Sequence, residues 1–200
     1  MSQDQIIKRH QHAFRQFGHH PNALLWSGIK IQYLRFEQLA KINIQTGDSL
    51  LDVGCGFADL NFYLTQQNIP TQYQGIDIVE DFIVKAKVLY PKAQLSVNDL
   101  FTLDPEPNSI DYLMLSGALN YVIDDADNKA RQTIEKMFAT CRKGIAFNLL
   151  DNDDQWSSSR NDLQTYNKQE VESWVKKLTS NYQIIDNYLD NDFTLLTWKE

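Results

Sequence analysis

Cysteine is nearly absent. The 200 residues hold only Cys55 and Cys141, too few for a disulfide framework or a cysteine-rich metal site, so no metal is expected and a reducing cytoplasm is the expected location. Basic charge is also scarce: 19 Lys and Arg stand against 26 Asp and Glu, a formal charge of -7. Without an overall positive field to draw the chain onto a phosphate backbone, nucleic acid is not an expected partner. No apolar run approaches the roughly 20 residues needed to cross a bilayer, and Met1 to His20 has no apolar core of signal-peptide length. Neither a membrane nor export is expected. The five prolines are scattered, and there is no internal repeat or low-complexity linker. What is present is an ordinary globular composition, 42% hydrophobic and 22% charged, in a length suited to one domain.

Short apolar segments alternate with longer helical patterns, the signature of an α/β fold with a parallel sheet. Strands are expected at Ser49 to Val53, Tyr73 to Ile78, Gln94 to Asn98, Ile110 to Ser116 and Gly144 to Leu149, with crossover helices over Asp59 to Gln67, Val79 to Leu89 and Asp127 to Thr140. After a helix over Lys168 to Leu178, the runs Tyr182 to Leu189 and Phe193 to Trp198 are joined only by Asp190-Asn191-Asp192. So short a link demands an antiparallel hairpin. Ahead of the first strand, Asn22 to Ile42 is helical in pattern, with Leu25, Ile29, Tyr33, Phe36 and Leu39 on the expected buried face. Residues 1–42 are expected to form a helical lid segment and 43–200 a ligand-binding core. The alternative for the segment is a permanent outer helix without ligand contact.

The most informative stretch is Asp52-Val53-Gly54-Cys55-Gly56-Phe57-Ala58-Asp59, a buried strand running into a Gly-x-Gly turn and a helix. Such a turn lets a ligand approach the backbone and meet free N–H groups. A dinucleotide fingerprint would place a third glycine where Asp59 stands, and acids beside the turn disfavour a pyrophosphate. Asp52 and Asp59 instead favour a ligand that carries a cation beside a carboxylate. S-adenosyl-L-methionine has that charge pattern. Asp77, 21 positions after Gly56, ends the second strand beside Ile78 and is placed to accept from both ribose hydroxyls; its alternative is a helix cap. Asp99 and Leu100 follow the third strand, the acid for the adenine amino group and the leucine for the ring. The alternative for Asp99 is a solvated loop acid.

On the loop Asp52 to Gly56, the acids Asp77 and Asp99 and the terminal hairpin, the chain resembles the class I S-adenosylmethionine-dependent methyltransferases over nearly all its length. That resemblance implies a Rossmann-like seven-stranded sheet with helices on both faces. Ala58 departs from the family pattern, which has a third glycine there. Gly18 to Trp26, followed by Gln32 and Arg35-Phe36, is similar to small bacterial methyltransferases without an assigned substrate. The likeness implies that Arg35 or Gln32 reaches the methionine carboxylate and that Trp26 caps the pocket. Read from the residues alone, Arg35 serves equally as one partner of a surface ion pair.

The fourth strand delivers Ser116-Gly117-Ala118-Leu119-Asn120-Tyr121 to the ligand end of the sheet. Gly117 permits close approach of the cofactor, and Asn120 and Tyr121 are candidates to orient a methyl acceptor. The alternative for both is a hydrogen-bonded helix start with a packed aromatic. The Asn/Asp-Pro-Pro-aromatic sequence of amino-methylating nucleic-acid enzymes is missing, so the expected partner is a small-molecule acceptor. Methyl transfer is a direct displacement, and a dedicated base is optional. His10, His12, His19 and His20 all stand ahead of the expected fold; His19 or His20 is the candidate base, with solvated histidines as the simpler expectation. Asp124, Asp125, Asp127, Asp151, Asp153 and Asp154 lie on the loops that border the acceptor pocket and read as a solvated charge run; the alternative is that they meet a cationic or amine acceptor. Two other activities share the loop and Asp77: aminopropyl transfer from a decarboxylated cofactor, and non-catalytic binding of S-adenosylmethionine.

Overall fold

The computed structural model describes residues 1–200. Helix α1 (Gln3–Phe17) comes first, opened by Ser2 in a reciprocal cap: Ser2 Oγ accepts from the Gln5 amide, and Gln5 Oε1 accepts from the Ser2 amide. The single helix expected over Asn22 to Ile42 is instead a 3-10 turn, Pro21–Leu24, and a separate helix α2 (Ile29–Ala40). Leu25 turns into the left-handed region at φ 60° and breaks the run. That break rotates the buried face. Phe36 and Leu39 are buried with Gln32, Arg35 and Gln38, while Leu25 and Ile29 are exposed.

The core follows as β1 (Ser49–Val53), α3 (Asp59–Gln66), β2 (Gln72–Asp77), α4 (Glu80–Leu89), β3 (Gln94–Val97), α5 (Leu100–Leu103), β4 (Ile110–Ser116), α6 (Ala126–Thr140), β5 (Cys141–Leu150), α7 (Gln155–Ser158), α8 (Lys168–Lys176), β6 (Tyr182–Ile185) and β7 (Asp192–Trp198). The sheet order is β3-β2-β1-β4-β5-β7-β6. Strands β1 to β5 run parallel, and β7 is antiparallel to both β5 and β6. The hairpin link is longer than expected, because β6 stops at Ile185 and Asp192 already pairs with Leu150 as the first residue of β7.

Strand alternation divides the core into two layers. Leu51, Leu113, Leu115, Ile145, Phe147 and Leu149 face α6 and α8, meeting Ile134, Met137, Val171 and Val175. On the opposite face Leu50, Tyr112, Met114 and Ala146 meet α2, α3 and α4 through Phe36, Leu39, Leu60, Leu64 and Ile83. A third cluster, Ala23, Phe57, Val79 and Phe82 with Ile7 and Phe14 against it, fastens α1 across one end of the sheet. No helix is long and apolar enough to cross a membrane.

Candidate active site

Strand order reverses between β1 and β4, and ligands of open α/β sheets lie in the crevice that such a reversal opens beyond the strand carboxyl ends. A cavity of about 240 Å³ occupies that place. Its floor is the turn after β1 with the ends of β2 and β4. Its roof is α1, the 3-10 turn, the link that follows it and α2, which contribute Ile6, His10, Leu24, Trp26, Gln32 and Phe36.

Gly54 and Gly56 bend the chain out of β1 at φ 74° and φ 54°. A Cβ on Gly54 would stand 2.5 Å from the Ala118 Cβ, and one on Gly56 would stand 2.8 Å from a Leu24 methyl. Glycine at both positions answers crowding as well as backbone conformation. The expectation of free amides at this turn is corrected by the structure. Gly54 and Cys55 N–H both donate to the Ile76 carbonyl at 2.9 Å, and Gly56 N–H donates to Asp77 Oδ2 at 2.9 Å. Buried amides take the partners a fold offers, and here the end of β2 offers them. A ligand carboxylate must therefore be met by a side chain. Cys55 lines the cavity as an inert thiol, its pKa pushed well up by burial and by the charges of Asp52 and Asp77.

Asp77 is a cap whose carboxylate also faces the cavity. Its Oδ1 accepts from Val79 N–H at 2.8 Å and its Oδ2 from Gly56 N–H, and each carboxylate oxygen retains a second acceptor position. Two vicinal ribose hydroxyls fit that capacity. Burial pushes the Asp77 carboxyl up to about 6 against its backbone donors. Asp52, 3% exposed and accepting from the Tyr73 hydroxyl at 2.6 Å, is pushed up to about 7 by burial, with the charges of Asp77 and Asp59 adding to the rise. Crowded, desolvated acids of this kind are relieved by a cation.

Asp99 is a cap, not a solvated acid: it accepts from the amides of Phe101 and Thr102 and from the Thr102 hydroxyl. Burial alone would raise its pKa, but these donors outweigh it and hold the carboxyl below its usual range. Ile78, Asp99 and Leu100 all line the cavity. At the end of β4, Ser116 and Gly117 are fixed by the buried Asn148, which accepts from Gly117 N–H at 3.1 Å and donates to Ser116 Oγ at 3.3 Å. The Trp26 ring lies 3.1 Å from where a Gly117 Cβ would be.

Thirteen of the seventeen sequence candidates line this cavity, and Arg35, His19, His20 and Asn120 do not. Arg35 pairs with Asp192 and stacks on Trp26, its CZ 4.5 Å from the ring centroid. Its partner is a buried acid on β7, not a surface one. His20 caps the 3-10 turn by accepting from Asn22 N–H, and Asn120 is buried behind the β4 loop. Nor is every acid of the expected charge run solvated: Asp151 is buried and paired with Lys168 at 3.3 Å. His10, grouped in the sequence with solvated histidines, is 7% exposed and lines the cavity. The helical spacing Ile6, His10, Ala13, Phe14 marks it as part of a buried stripe.

A family profile described as a methyltransferase domain matches residues 50–144. A methyltransferase-named protein of Mycobacterium tuberculosis is 28% identical over 127 residues, covering 61% of this chain and 75% of its own. The trans-aconitate 2-methyltransferase of Variovorax paradoxus is 25% identical over 118 residues, covering 58% of this chain and 44% of its own. Among solved structures, the magnesium protoporphyrin IX methyltransferase of Synechocystis, with bound S-adenosylhomocysteine, has the same fold at a TM-score of 0.65 and 12% identity, covering 82% of this chain and 80% of that one. The matched residues 50–144 run from β1 into β5 and carry the whole cavity floor. The methyltransferase-domain match, the methyltransferase-named relatives and the shared fold together support a class I S-adenosylmethionine-dependent methyltransferase.

Proposed function

We propose that the chain transfers the methyl group of S-adenosylmethionine to a small-molecule acceptor by direct displacement, and that the acceptor enters the roofed side of the cavity. The partial cover carries this reading: α1, Trp26 and Phe36 lie over the strand ends and narrow the approach to the cavity. A relative named for trans-aconitate supports an acceptor of small size. The cofactor supplies an electrophilic methyl on a sulfonium. In this reading Asp77 accepts from the ribose hydroxyls, Ile78 and Leu100 wall the adenine with Asp99 at its edge, and Asp52 faces the cationic end. Gln32 reaches the methionine carboxylate. Its Nε2 donates to Asp59 at 3.1 Å and has a second hydrogen to give. Arg35, committed to Asp192, is withdrawn from that role. The two unpaired cysteines support a cytoplasmic location.

Residues 1–42 act as the lid over a core of 43–200, with Trp26 closing on Gly117 and excluding water from the sulfonium. Calorimetry should give binding of S-adenosylmethionine and its demethylated product, none of NAD, and weaker binding of the decarboxylated cofactor, which has nothing for Gln32 to hold. Equal or tighter binding of the decarboxylated form would move the reading to aminopropyl transfer. Amide exchange over 3–39 should slow when the product is added. Unchanged exchange would make the segment scaffold.

A further inference from the structure

One pair of side chains in the cavity has no part in holding the cofactor. His10 of α1 and Tyr121 of the loop after β4 lie 111 residues apart in sequence, both line the cavity, and their side chains are hydrogen-bonded to each other. The direction of that bond follows from the second nitrogen of the ring. His10 Nδ1 lies 3.2 Å from the Ala23 carbonyl oxygen, which can only accept, so Nδ1 carries the proton. Nε2 then presents its lone pair, and the Tyr121 hydroxyl must donate to it. The phenolic oxygen is left with acceptor capacity only. Edge-on packing fixes the imidazole plane against Phe82 at 5.2 Å and Tyr121 at 5.4 Å between ring centroids.

The loop that carries Tyr121 is equally constrained. Leu119 carbonyl accepts from the Tyr166 hydroxyl at 2.7 Å, and Asn120 carbonyl accepts from Gln164 N–H at 3.0 Å. Ala118 packs against Gly54 of the cofactor turn. A phenol oxygen able only to accept is thus held on the loop that abuts the cofactor turn.

Resting on the methyltransferase reading above, we propose that Tyr121 is the catalytic residue that takes the proton of a hydroxyl acceptor, and that His10 positions Tyr121 and receives the proton it gives up. A hydroxyl is an acceptor class that such a pair serves: a carboxylate is already ionised, and a weakly basic amine such as an aniline attacks with its own lone pair, whereas an alcohol or phenol must lose its proton as it attacks. The acceptor O–H proton passes to Tyr121 Oη as the Tyr121 proton passes to His10 Nε2. The acceptor oxygen pair forms the C–O bond to the methyl carbon, and the C–S electrons return to sulfur, leaving a neutral thioether. One positive charge leaves sulfur and one appears on the imidazole, so the cavity keeps its charge. The charge of Asp77 acts on Tyr121 from β2, and Arg9, on the same helix as His10, opposes the product cation. Burial holds the imidazole below its ordinary pKa, with Arg9 adding to that and the Ala23 bond opposing it, so the ring is neutral and ready at neutral pH.

The test uses the full chain, labelled S-adenosylmethionine, a series of phenols from 4-nitrophenol to phenol, and the matching anilines. Transfer is expected to the phenols. Tyr121→Phe and His10→Gln should each lose about 100-fold in kcat on phenol, which must shed its proton, and less than about threefold on the already ionised nitrophenol, with the affinity for S-adenosylhomocysteine unchanged. The acid limb of the rate profile should lie below the ordinary imidazole range and vanish in His10→Gln. In the complex with S-adenosylhomocysteine, nitrogen NMR should find His10 neutral with its proton on Nδ1. Equal losses on both phenols, transfer to anilines alone, no transfer to any phenol, or a proton on Nε2 would each overturn the proposal. Failure of either cofactor form to bind is read separately by calorimetry and strikes the methyltransferase reading instead.

Discussion

The two halves of the sheet treat buried charge in opposite ways. At the ends of β1 and β2 the acids are satisfied by neutral donors: Asp77 by two backbone amides and Asp52 by a tyrosine hydroxyl. Burial raises their pKa values against those donors. Around β5 and β7 charges meet counter-charges instead, with Arg35 on Asp192 and Lys168 on Asp151 and Asp186. Asp192 also accepts from the Tyr188 hydroxyl. One half leaves negative charge for a cationic ligand to neutralise. In the other, Asp192 and Asp151 already have cations beside them, although burial still pushes the Asp192 carboxyl up to about 6, and Trp26 stacks on the Arg35 of that pair.

The largest effect should come from breaking the neutralised half. Arg35→Met strands a buried carboxylate and should cost about 3 to 5 kcal/mol of stability, read by urea denaturation. Arg35→Met with Asp192→Leu removes both charges and should recover most of that loss, since a buried pair replaced by apolar groups is often neutral. The double variant should bind S-adenosylhomocysteine normally. A folded double variant with weak cofactor binding would return Arg35 to the methionine carboxylate and erase the contrast between the halves.

The open half should fail in the complementary way, through the ligand. Asp77→Ala is expected to weaken S-adenosylhomocysteine binding by about 2 to 4 kcal/mol, roughly 30- to 1000-fold, because two ribose hydroxyls lose a charged acceptor and the glycine turn loses its anchor. Calorimetry on the folded variant reads it. Unchanged affinity would reduce Asp77 to a cap.

This contrast also explains what could be read from the sequence. The strands of the open half were legible, with β1 expected and found at Ser49–Val53, because a run buried on both faces and closed by a Gly-x-Gly turn has few other readings. The residues that line the cavity floor are contiguous with those strand ends, so position in sequence reports position in space. The roof and the neutralised half follow no such rule. His10 meets Tyr121 across 111 residues, and Arg35 meets Asp192 across the whole core; no local pattern encodes either pairing. The bonded state of the turn amides was equally hidden, since it depends on which carbonyl of β2 lies beside them. Leu25 misled the helix assignment because its left-handed φ of 60° is a tertiary demand that its side chain does not announce.

A smaller effect separates crowding from backbone strain within the open half. Gly54→Ala would set a Cβ 2.5 Å from the Ala118 Cβ at φ 74°, whereas Gly47→Ala at φ 88° would meet nothing within 4 Å. Both bear the strain of a left-handed non-glycine residue, about 1 to 2 kcal/mol. Only the first also pushes the β4 loop, adding about 1 to 3 kcal/mol of overpacking. Cofactor affinity should fall in Gly54→Ala and hold in Gly47→Ala, while thermal stability falls in both. Equal affinities in the two variants would mean that the turn and the β4 loop do not form one surface.

The smallest expected effect is the pH dependence of binding, and its sign is fixed by the raised carboxyls. Asp52 at about 7 and Asp77 at about 6 lie above the ordinary aspartate value of 3.8. Between about pH 4 and 7 the ligand-free fold therefore holds more protons than the unfolded chain, so the pair's burial costs stability progressively as pH rises through that window. A cationic ligand pulls both values down and requires the ionised forms, so its affinity must rise over the same interval. S-adenosylmethionine should bind about tenfold more tightly at roughly pH 7.5 than at roughly pH 5.5. S-adenosylhomocysteine, which lacks the sulfonium charge, should gain less. Asp52→Asn should flatten the dependence for the charged cofactor most, since Asp52 titrates nearest neutrality and Tyr73 can still donate to the amide oxygen. Parallel curves for the two ligands, or a slope that survives Asp52→Asn, would mean that the open half does not answer the sulfonium with charge and that the contrast between the halves lies in packing alone.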